Sequence, residues 1–368
     1  MRILALITDA FRGYGGIALY NRDVLTALCQ HPEITEVVAV PRSIPNVKES
    51  LPAKLEYVDI SARGKFFYLY ALLRLLVRQN RFDVILCSHI NLMPVAWLLK
   101  KMFQVPVILE IYGIDAWSPP VGRKITRMAL GAADEVICIS SYTRKLFFAW
   151  SSLSERICTL LPNAIHLDQY GEGEKSQRLI ARYGLADRRV LLTLGRLVSR
   201  ERAKGFDEIL ELLPALIQDE PDICYVIAGE GDYRSELEAK AKSLKVENHV
   251  VFTGMVNEEE KADLYRLADV YVMPSRGEGF GFVFLEAMAC GIPVIASIAD
   301  GSCDAVRDGK LGILVDPDDS EGIRQAILKS LKLPRGIPTG LEYFSFSSFT
   351  RKLHAIIDKV TEGAGQRL

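Results

Sequence analysis

Asp269 to Ser297 reads DVYVMPSRGEGFGFVFLEAMACGIPVIAS, and the order of apolar runs, glycines and carboxylates in it decides the fold. Val270 to Met273 is a short apolar run stopped by Pro274 and Ser275, the mark of a buried strand entering a loop. Phe282 to Ala289 is apolar except for Glu286 and reads as a helix. Gly291 can supply the positive φ that closes that helix, and Pro293 starts the next buried strand, Val294 to Ala296. The unit is therefore strand, loop, helix, strand. Glu278 falls in the loop at the carboxyl end of a strand and Glu286 near the first turn of the helix, so both face the crevice where open α/β sheets bind ligands. Gly277, Gly279 and Gly281 leave the backbone free to approach a ligand, with N–H groups at the helix start available for an anion. Two carboxylates can accept hydrogen bonds from vicinal hydroxyls while the amides between them hold a phosphate, so the pattern predicts a site for a polyol carrying phosphate. A paired core carboxylate at Glu286, with glycines that only turn the chain, is the plainer alternative.

Outward from this unit, strands and helices alternate in two series. Ile3 to Ile7, Val37 to Val40, Val84 to Cys87, Val107 to Glu110 and Val136 to Ser140 make the first. Val190 to Leu194, Cys224 to Ala228, Val250 to Thr253, Val270 to Met273 and Val294 to Ala296 make the second. Continuous rather than alternating hydrophobicity in these runs predicts parallel sheets covered on both faces. Apolar patterning lapses in LLPNAIHLDQYGEGEKS, which places a linker near residues 163–175. Two domains follow, 1–165 and 166–343, with a last helix beginning at Phe344; 368 residues suffice for a core in each.

Composition excludes several classes. The net charge of −1 gives no reason to expect nucleic acid as a partner. Residues 1–170 carry 19 basic against 14 acidic side chains, and the rest carries 26 against 32, so the first half is mildly basic and the second acidic. The seven cysteines are scattered, with no C-x-x-C pair, and read as small buried residues of a reducing compartment. MRILALITDAF is a short apolar strand without a cleavage-site pattern, and no apolar run approaches the ~18 residues that span a bilayer. A cytoplasmic setting is expected. From Ser61 to Phe82 five basic residues (Arg63, Lys65, Arg74, Arg78, Arg81) and no acid accompany Phe66, Phe67, Tyr68 and Tyr70, a stretch suited either to the edge of an anionic membrane or to an ordinary helix on its sheet.

Gly13, Gly15 and Gly16 fall between the first strand and the first helix, where a phosphate loop sits. Their spacing is G-x-G-G, and PRS after the second strand offers no acid for an adenosine ribose, so a dinucleotide site is disfavoured. After the linker, LLTLGRLVSRERAKGFDEIL places Arg196 just past a strand and Lys204 before Gly205, where cations suit a diphosphate. Arg200 and Arg202 share this loop and read as solvated charges. His31, His249 and His354 show no ligand-like spacing with carboxylates, and no metal site is expected.

The segment with Glu278 and Glu286 resembles the E-x7-E signature of retaining glycosyltransferases of the GT-B fold, in particular glycosyltransferase family 4. The resemblance implies an α/β GT-B architecture, two Rossmann-like doubly wound parallel-sheet domains facing across a cleft, with the acceptor bound mainly to the first domain and the nucleotide sugar to the second. It implies that Glu278 contacts the sugar's hydroxyls and Glu286 the ribose, and that the backbone of Gly279, Phe280, Gly281, Phe282 and Val283 lines sugar and phosphate. Arg196 and Lys204 then stabilise the leaving diphosphate, and Gly15, Gly16, Gly229, Met255 and Val256 border the donor. LEIYGIDAW resembles the family's H-G-x-D loop, with Tyr112 where His is common and Asp115 at its matching place. His89, at the end of a strand, is a further cleft candidate beside a purely structural role. The last helix, 344–368, is expected to pack back on the first domain.

The implied function is a metal-independent, retaining hexosyltransferase of cell-envelope or exopolysaccharide synthesis. It would use UDP-glucose or a related UDP-hexose on a saccharide or lipid-linked saccharide acceptor. No cofactor is needed, since the nucleotide sugar is a substrate, and contact with the cytoplasmic membrane face would run through 61–82. A nucleotide-sugar epimerase on the same scaffold and a donor-binding, catalytically weakened regulatory or assembly protein are the alternatives; turnover without any acceptor marks the first, binding without turnover the second.

Overall fold

The structure, a computed structural model, describes residues 1–11, 15–43, 50–77 and 81–365. It divides into two compact units, Met1–Ala164 with Phe346–Leu368, and Ile165–Ser345.

In the first unit, among the described residues, β1 (Arg2–Ile7), β2 (Glu36–Pro41), β3 (Leu55–Tyr57), β4 (Val84–Cys87), β5 (Val107–Ile111), β6 (Glu135–Cys138) and β7 (Cys158–Leu160) form one sheet in the order β3-β2-β1-β4-β5-β6-β7. Every pairing is parallel. Strand order reverses at β1, which pairs with β2 on one side and β4 on the other, so the loops after β1 and β4 flank a topological switch point. The connecting helices are α1 (Gly16–Gln30), α2 (Lys65–Val77), α3 (Met93–Phe103), α4 (Lys124–Ala129) and α5 (Ser141–Ser151). Val84–Cys87 and Val107–Ile111 are buried at every position, as sheets covered on both faces require.

The second unit repeats the plan. Strands β8 (Arg189–Leu194), β9 (Ile223–Ala228), β10 (Val250–Gly254), β11 (Val270–Met273), β12 (Val294–Ser297) and β13 (Ile313–Val315) form a parallel sheet in the order β10-β9-β8-β11-β12-β13. Its switch point lies between β8 and β11, paired at Leu191↔Val270. The helices are α6 (Gln177–Tyr183), α7 (Phe206–Asp219), α8 (Arg234–Ser243), α9 (Glu258–Leu267), α10 (Phe282–Ala289), α11 (Ser302–Ala305) and α12 (Ser320–Ser330). The last helix, α13 (Phe346–Gly365), belongs to the first unit, where His354 Nε2 bonds Ala27 O at 2.7 Å and Lys359 Nζ bonds Glu135 Oε2 at 2.8 Å.

Differences from the sequence pattern have local causes. Strands β3, β7 and β13 are three residues each, lie at sheet edges and are only partly buried, so they leave no continuous apolar run. Strand β6 stops at Cys138 because Ser140 caps α5, its Oγ accepting from Thr143 N at 3.0 Å. The last helix begins at Phe346 rather than Phe344, which closes a 3₁₀ turn over Leu341–Phe344. Segment 170–175, read as part of a linker, is riveted to the second unit: Gly171 O accepts from Arg266 Nε at 2.9 Å and Lys175 pairs with Asp269 at 2.9 Å. Polar rivets of this kind are invisible to hydrophobic patterning.

Candidate active site

In the second unit the loops after β8 and β11 meet at the switch point. Lys204 Nζ donates to Glu278 Oε2 at 3.0 Å, with both side chains about one-fifth exposed. Gly205, at φ +87°, lies so close to Pro274 that a Cβ there would come within 2.7 Å of its ring, which fixes one loop against the other. Arg196, beyond the end of β8, is exposed. Arg202 turns toward α8, over the Tyr233 ring at 4.7 Å and 4.0 Å from Glu236. The Arg200 side chain lies outside the described residues.

The Glu278 loop is shaped by a residue that sequence reading missed. Asp300, 2% exposed, accepts from Ser275 Oγ at 2.7 Å and Glu278 N at 2.8 Å on one oxygen, and from Ser302 Oγ at 2.6 Å and Ser302 N at 3.0 Å on the other. Burial raises its pKa above the ordinary aspartate value, and these hydrogen bonds oppose the rise. Gly301 N donates to Glu278 O at 2.9 Å, and a Cβ on Gly301 would lie 2.1 Å from Gly279 O. Gly281, at φ +94°, precedes α10, whose first residues Phe282 and Val283 are half-buried. The Phe280 ring is core, edge-on to Phe344 at 5.6 Å, so only its backbone borders the loop.

Glu286 is 4% exposed and well supplied with donors. Oε1 accepts from Tyr170 OH at 2.8 Å and Lys261 Nζ at 3.1 Å, and Oε2 from Tyr265 OH at 2.6 Å. Lys261 also pairs with Glu258 at 2.8 Å. Burial alone lowers the Lys261 pKa, but Glu286 and Glu258 together raise it, so the ammonium is kept. A carboxylate with three donors retains acceptor capacity on Oε2 only. Gly229 holds the loops after β8 and β9 together, since a Cβ there would meet Gly195 O at 1.9 Å. Beyond Gly254, Met255 is exposed and Val256 half-buried.

The first unit assembles the other predicted residues around the ends of β1, β4 and β5. Gly15 takes φ +93° immediately before α1, and Gly15 and Gly16 are exposed; Gly13 lies outside the described residues. His89 caps the turn after β4, its Nδ1 accepting from Asn91 N at 3.0 Å, which leaves its proton on Nε2. Burial, then the charges of Arg42 and Arg123, lower its pKa to about 4, so the ring is neutral. Asp115 Oδ1 accepts from Gly113 N at 2.9 Å while its Oδ2 is buried without a partner, and burial raises its pKa to about 6.

Tyr112 opens the loop after β5, where the sequence places it. It is 5% exposed, and its hydroxyl faces inward to Asn21 Oδ1 at 2.7 Å and Glu110 Oε2 at 3.1 Å. A buried aromatic with a polar tip takes its partners from the interior, and this hydroxyl is engaged within the first unit. Asn21 and Glu110 carried no signal in sequence, because an Asn within a helix and a Glu within an apolar strand have no distinctive spacing. Among the described residues no group of three or more His, Cys, Asp or Glu is placed to hold a metal ion. All seven cysteines are free thiols, five of them buried.

Two doubly wound parallel sheets, with Glu278 in a switch-point loop of the second and Glu286 on the helix that follows, are the architecture of the GT-B class. The model described as Glycosyltransferase Family 4 matches residues 14–169, and that of Glycosyl transferases group 1 matches 176–339. The chain belongs to glycosyltransferase family 4. It is 38% identical over 242 residues to the GDP-mannose-dependent alpha-(1-6)-phosphatidylinositol monomannoside mannosyltransferase of Mycolicibacterium smegmatis, covering 62% of each chain. It is 30% identical over 198 residues to the mannosylfructose-phosphate synthase of Agrobacterium fabrum, covering 50% of this chain and 43% of that one. The chain thus spans about six-tenths of the length of the mycobacterial relative and less of the other. Among solved structures, Anabaena HepE in complex with UDP and glucose superposes with a TM-score of 0.73 at 19% identity, over 98% of this chain and 100% of that one.

Proposed function

We propose that this protein transfers a hexose from a nucleotide-diphosphate sugar to a hydroxyl of a saccharide or lipid-linked saccharide, without a metal ion and with retention at the anomeric carbon. The observation that carries the proposal is the Lys204–Glu278 pair, 3.0 Å apart in the switch-point loops beside the amides of the glycine loop. Glu278 takes hydroxyls of the donor sugar, Lys204 and Arg196 take the diphosphate, and the amides of Gly279 to Val283 take phosphate oxygens. Glu286 offers the ribose its remaining acceptor position on Oε2. Backbone near Gly229, Met255 and Val256 borders the nucleotide. In the first unit Gly15 and Gly16 admit phosphate to the start of α1, and the unpartnered Oδ2 of Asp115 takes an acceptor hydroxyl. The bond from the anomeric carbon to the β-phosphate oxygen breaks while the bond to the acceptor oxygen forms on the same face. The acceptor's proton passes to the departing diphosphate.

The mycobacterial relatives are named for GDP-mannose, which therefore stands first among donors to be tested, ahead of the UDP-glucose expected from sequence. A membrane-borne acceptor is supported by α2, where Phe66 is 90% and Val77 82% exposed and Leu69, Tyr70 and Leu73 are also open on a helix without an acid. No described helix is long and apolar enough to cross a membrane. Calorimetric titration with GDP and UDP tests the nucleotide half of the proposal. Glu286→Ala should weaken whichever nucleotide binds; unchanged affinity would remove the ribose from Glu286.

A further inference from the structure

The side chains of Asn21, Glu110 and Tyr112 fix one another's protons by geometry alone. Asn21 Nδ2 lies 2.7 Å from Asp9 O, and a carbonyl can only accept, so the amide's orientation is set and Oδ1 is the end toward Tyr112. Oδ1 needs a donor. Tyr112 has one hydroxyl proton, and at 2.7 Å it must serve Asn21. The 3.1 Å contact between the phenolic oxygen and Glu110 Oε2 is then a hydrogen bond only if Glu110 carries a proton and donates it. The opposite assignment sets two lone pairs against each other at the Asn21 contact. It also places a carboxylate where the residue is 0% exposed and Oε1 has no partner.

We propose that Glu110 is a neutral carboxylic acid in the working protein and acts as a positioning residue. It holds the Tyr112 loop, which carries Asp115, to the end of β1 and to α1, the two elements that flank the glycine loop. Its surroundings agree. The titratable groups that face it are Tyr112, Tyr20 of α1 and Cys87 of β4; Cys138 of β6 and Asp23 of α1 act on Tyr20 in turn, and none of these is basic. The Ser88 hydroxyl adjoins the phenol but lies outside hydrogen-bonding geometry. Burial drives the Glu110 pKa up to about 8, only partly opposed by Tyr112. Ionisation above that pH draws the Tyr112 proton to Glu110 and strips Asn21 Oδ1 of its donor, which loosens the Tyr112 loop from α1.

The protonation state is independent of the proposed transfer reaction; its effect on turnover rests on that reaction. Infrared difference spectra of full-length protein labelled with ¹³C-carboxyl glutamate separate the two. A protonated-carboxyl band should be present at pH 7, titrate near pH 8 and be absent from Glu110→Gln. Asn21→Leu, which frees the Tyr112 proton for Glu110, should move that titration to lower pH. No such band at pH 7, or a titration unmoved by Asn21→Leu, overturns the assignment. In transfer assays with GDP-mannose or UDP-glucose, the wild type should lose turnover about tenfold per pH unit above 8, with Glu110→Gln flat over the same range. A band that behaves as described beside identical alkaline profiles overturns the positioning role alone.

Discussion

Asp300→Asn is nearly isosteric, yet the structure makes it a damaging change. Each carboxylate oxygen of Asp300 accepts one hydroxyl and one backbone N–H, Ser275 Oγ with Glu278 N and Ser302 Oγ with Ser302 N. A hydroxyl can rotate to accept from the new amide, but a backbone N–H cannot. Whichever way the asparagine faces, the N–H of Glu278 or of Ser302 meets another N–H and loses its partner. An unsatisfied buried donor costs about 1–3 kcal/mol, and the surviving bonds weaken from charge-assisted to neutral, so about 2–4 kcal/mol is expected. Hydrogen exchange resolved to peptides over 275–302 should quicken roughly 30- to 1,000-fold if exchange follows this local opening. Donor affinity should fall with it, because Glu278 is carried by the same loop. Exchange in the variant within about twofold of wild type would mean that Asp300 is not the organiser of the glycine loop.

Further outcomes follow from the same geometry. Arg196→Ala and Lys204→Ala should each lower turnover roughly 10²- to 10³-fold, with a smaller change in donor affinity, while Arg202→Ala, whose side chain is turned to Tyr233, should do little; steady-state kinetics with calorimetry distinguishes these. Lys261→Met leaves Glu286 buried beside two phenols without its cation, and a loss of about 3–5 kcal/mol in urea unfolding is expected. Gly229→Ala forces a Cβ onto Gly195 O at φ +138°, and a melting scan should report a loss of about 3 kcal/mol or more. Folding raises the Glu110 pKa from the ordinary carboxylate range to about 8, so the native state keeps a proton that the unfolded chain gives up. Stability should therefore fall as pH rises through that interval, by up to about 1.4 kcal/mol per unit, and level off above it; urea titrations of Glu110→Gln should lack this slope.

What the sequence reveals here is what repeats locally. Val270 to Met273 and Phe282 to Ala289 are seen in the structure with the bounds that their apolar runs imply, because both are buried strongly enough for pattern to equal environment. The two carboxylates were legible because Glu278 stands among the glycines between those runs and Glu286 interrupts the second. Their partners were not: Lys261, Tyr170 and Tyr265 reach Glu286 across 25, 116 and 21 residues, and Asp300 reaches the amide of Glu278 across 22. No periodicity links residues that meet only when strands line up side by side. Tyr112 illustrates the converse. Its place in the loop was readable from resemblance, but the direction of its hydroxyl depends on Asn21 and Glu110, two polar residues that tertiary packing alone brings together.

A product-resolved assay tests hexose transfer directly. Wild type, Lys204→Ala and Glu278→Ala are each incubated with GDP-mannose or UDP-glucose and a membrane-lipid and oligosaccharide extract, and the products are read by mass spectrometry. A hexose should be added to a discrete acceptor, with release of one nucleoside diphosphate per transfer, and little or no transfer by either variant. Donor consumed with no acceptor modified, or transfer by Lys204→Ala and Glu278→Ala at the wild-type rate, would contradict the proposal.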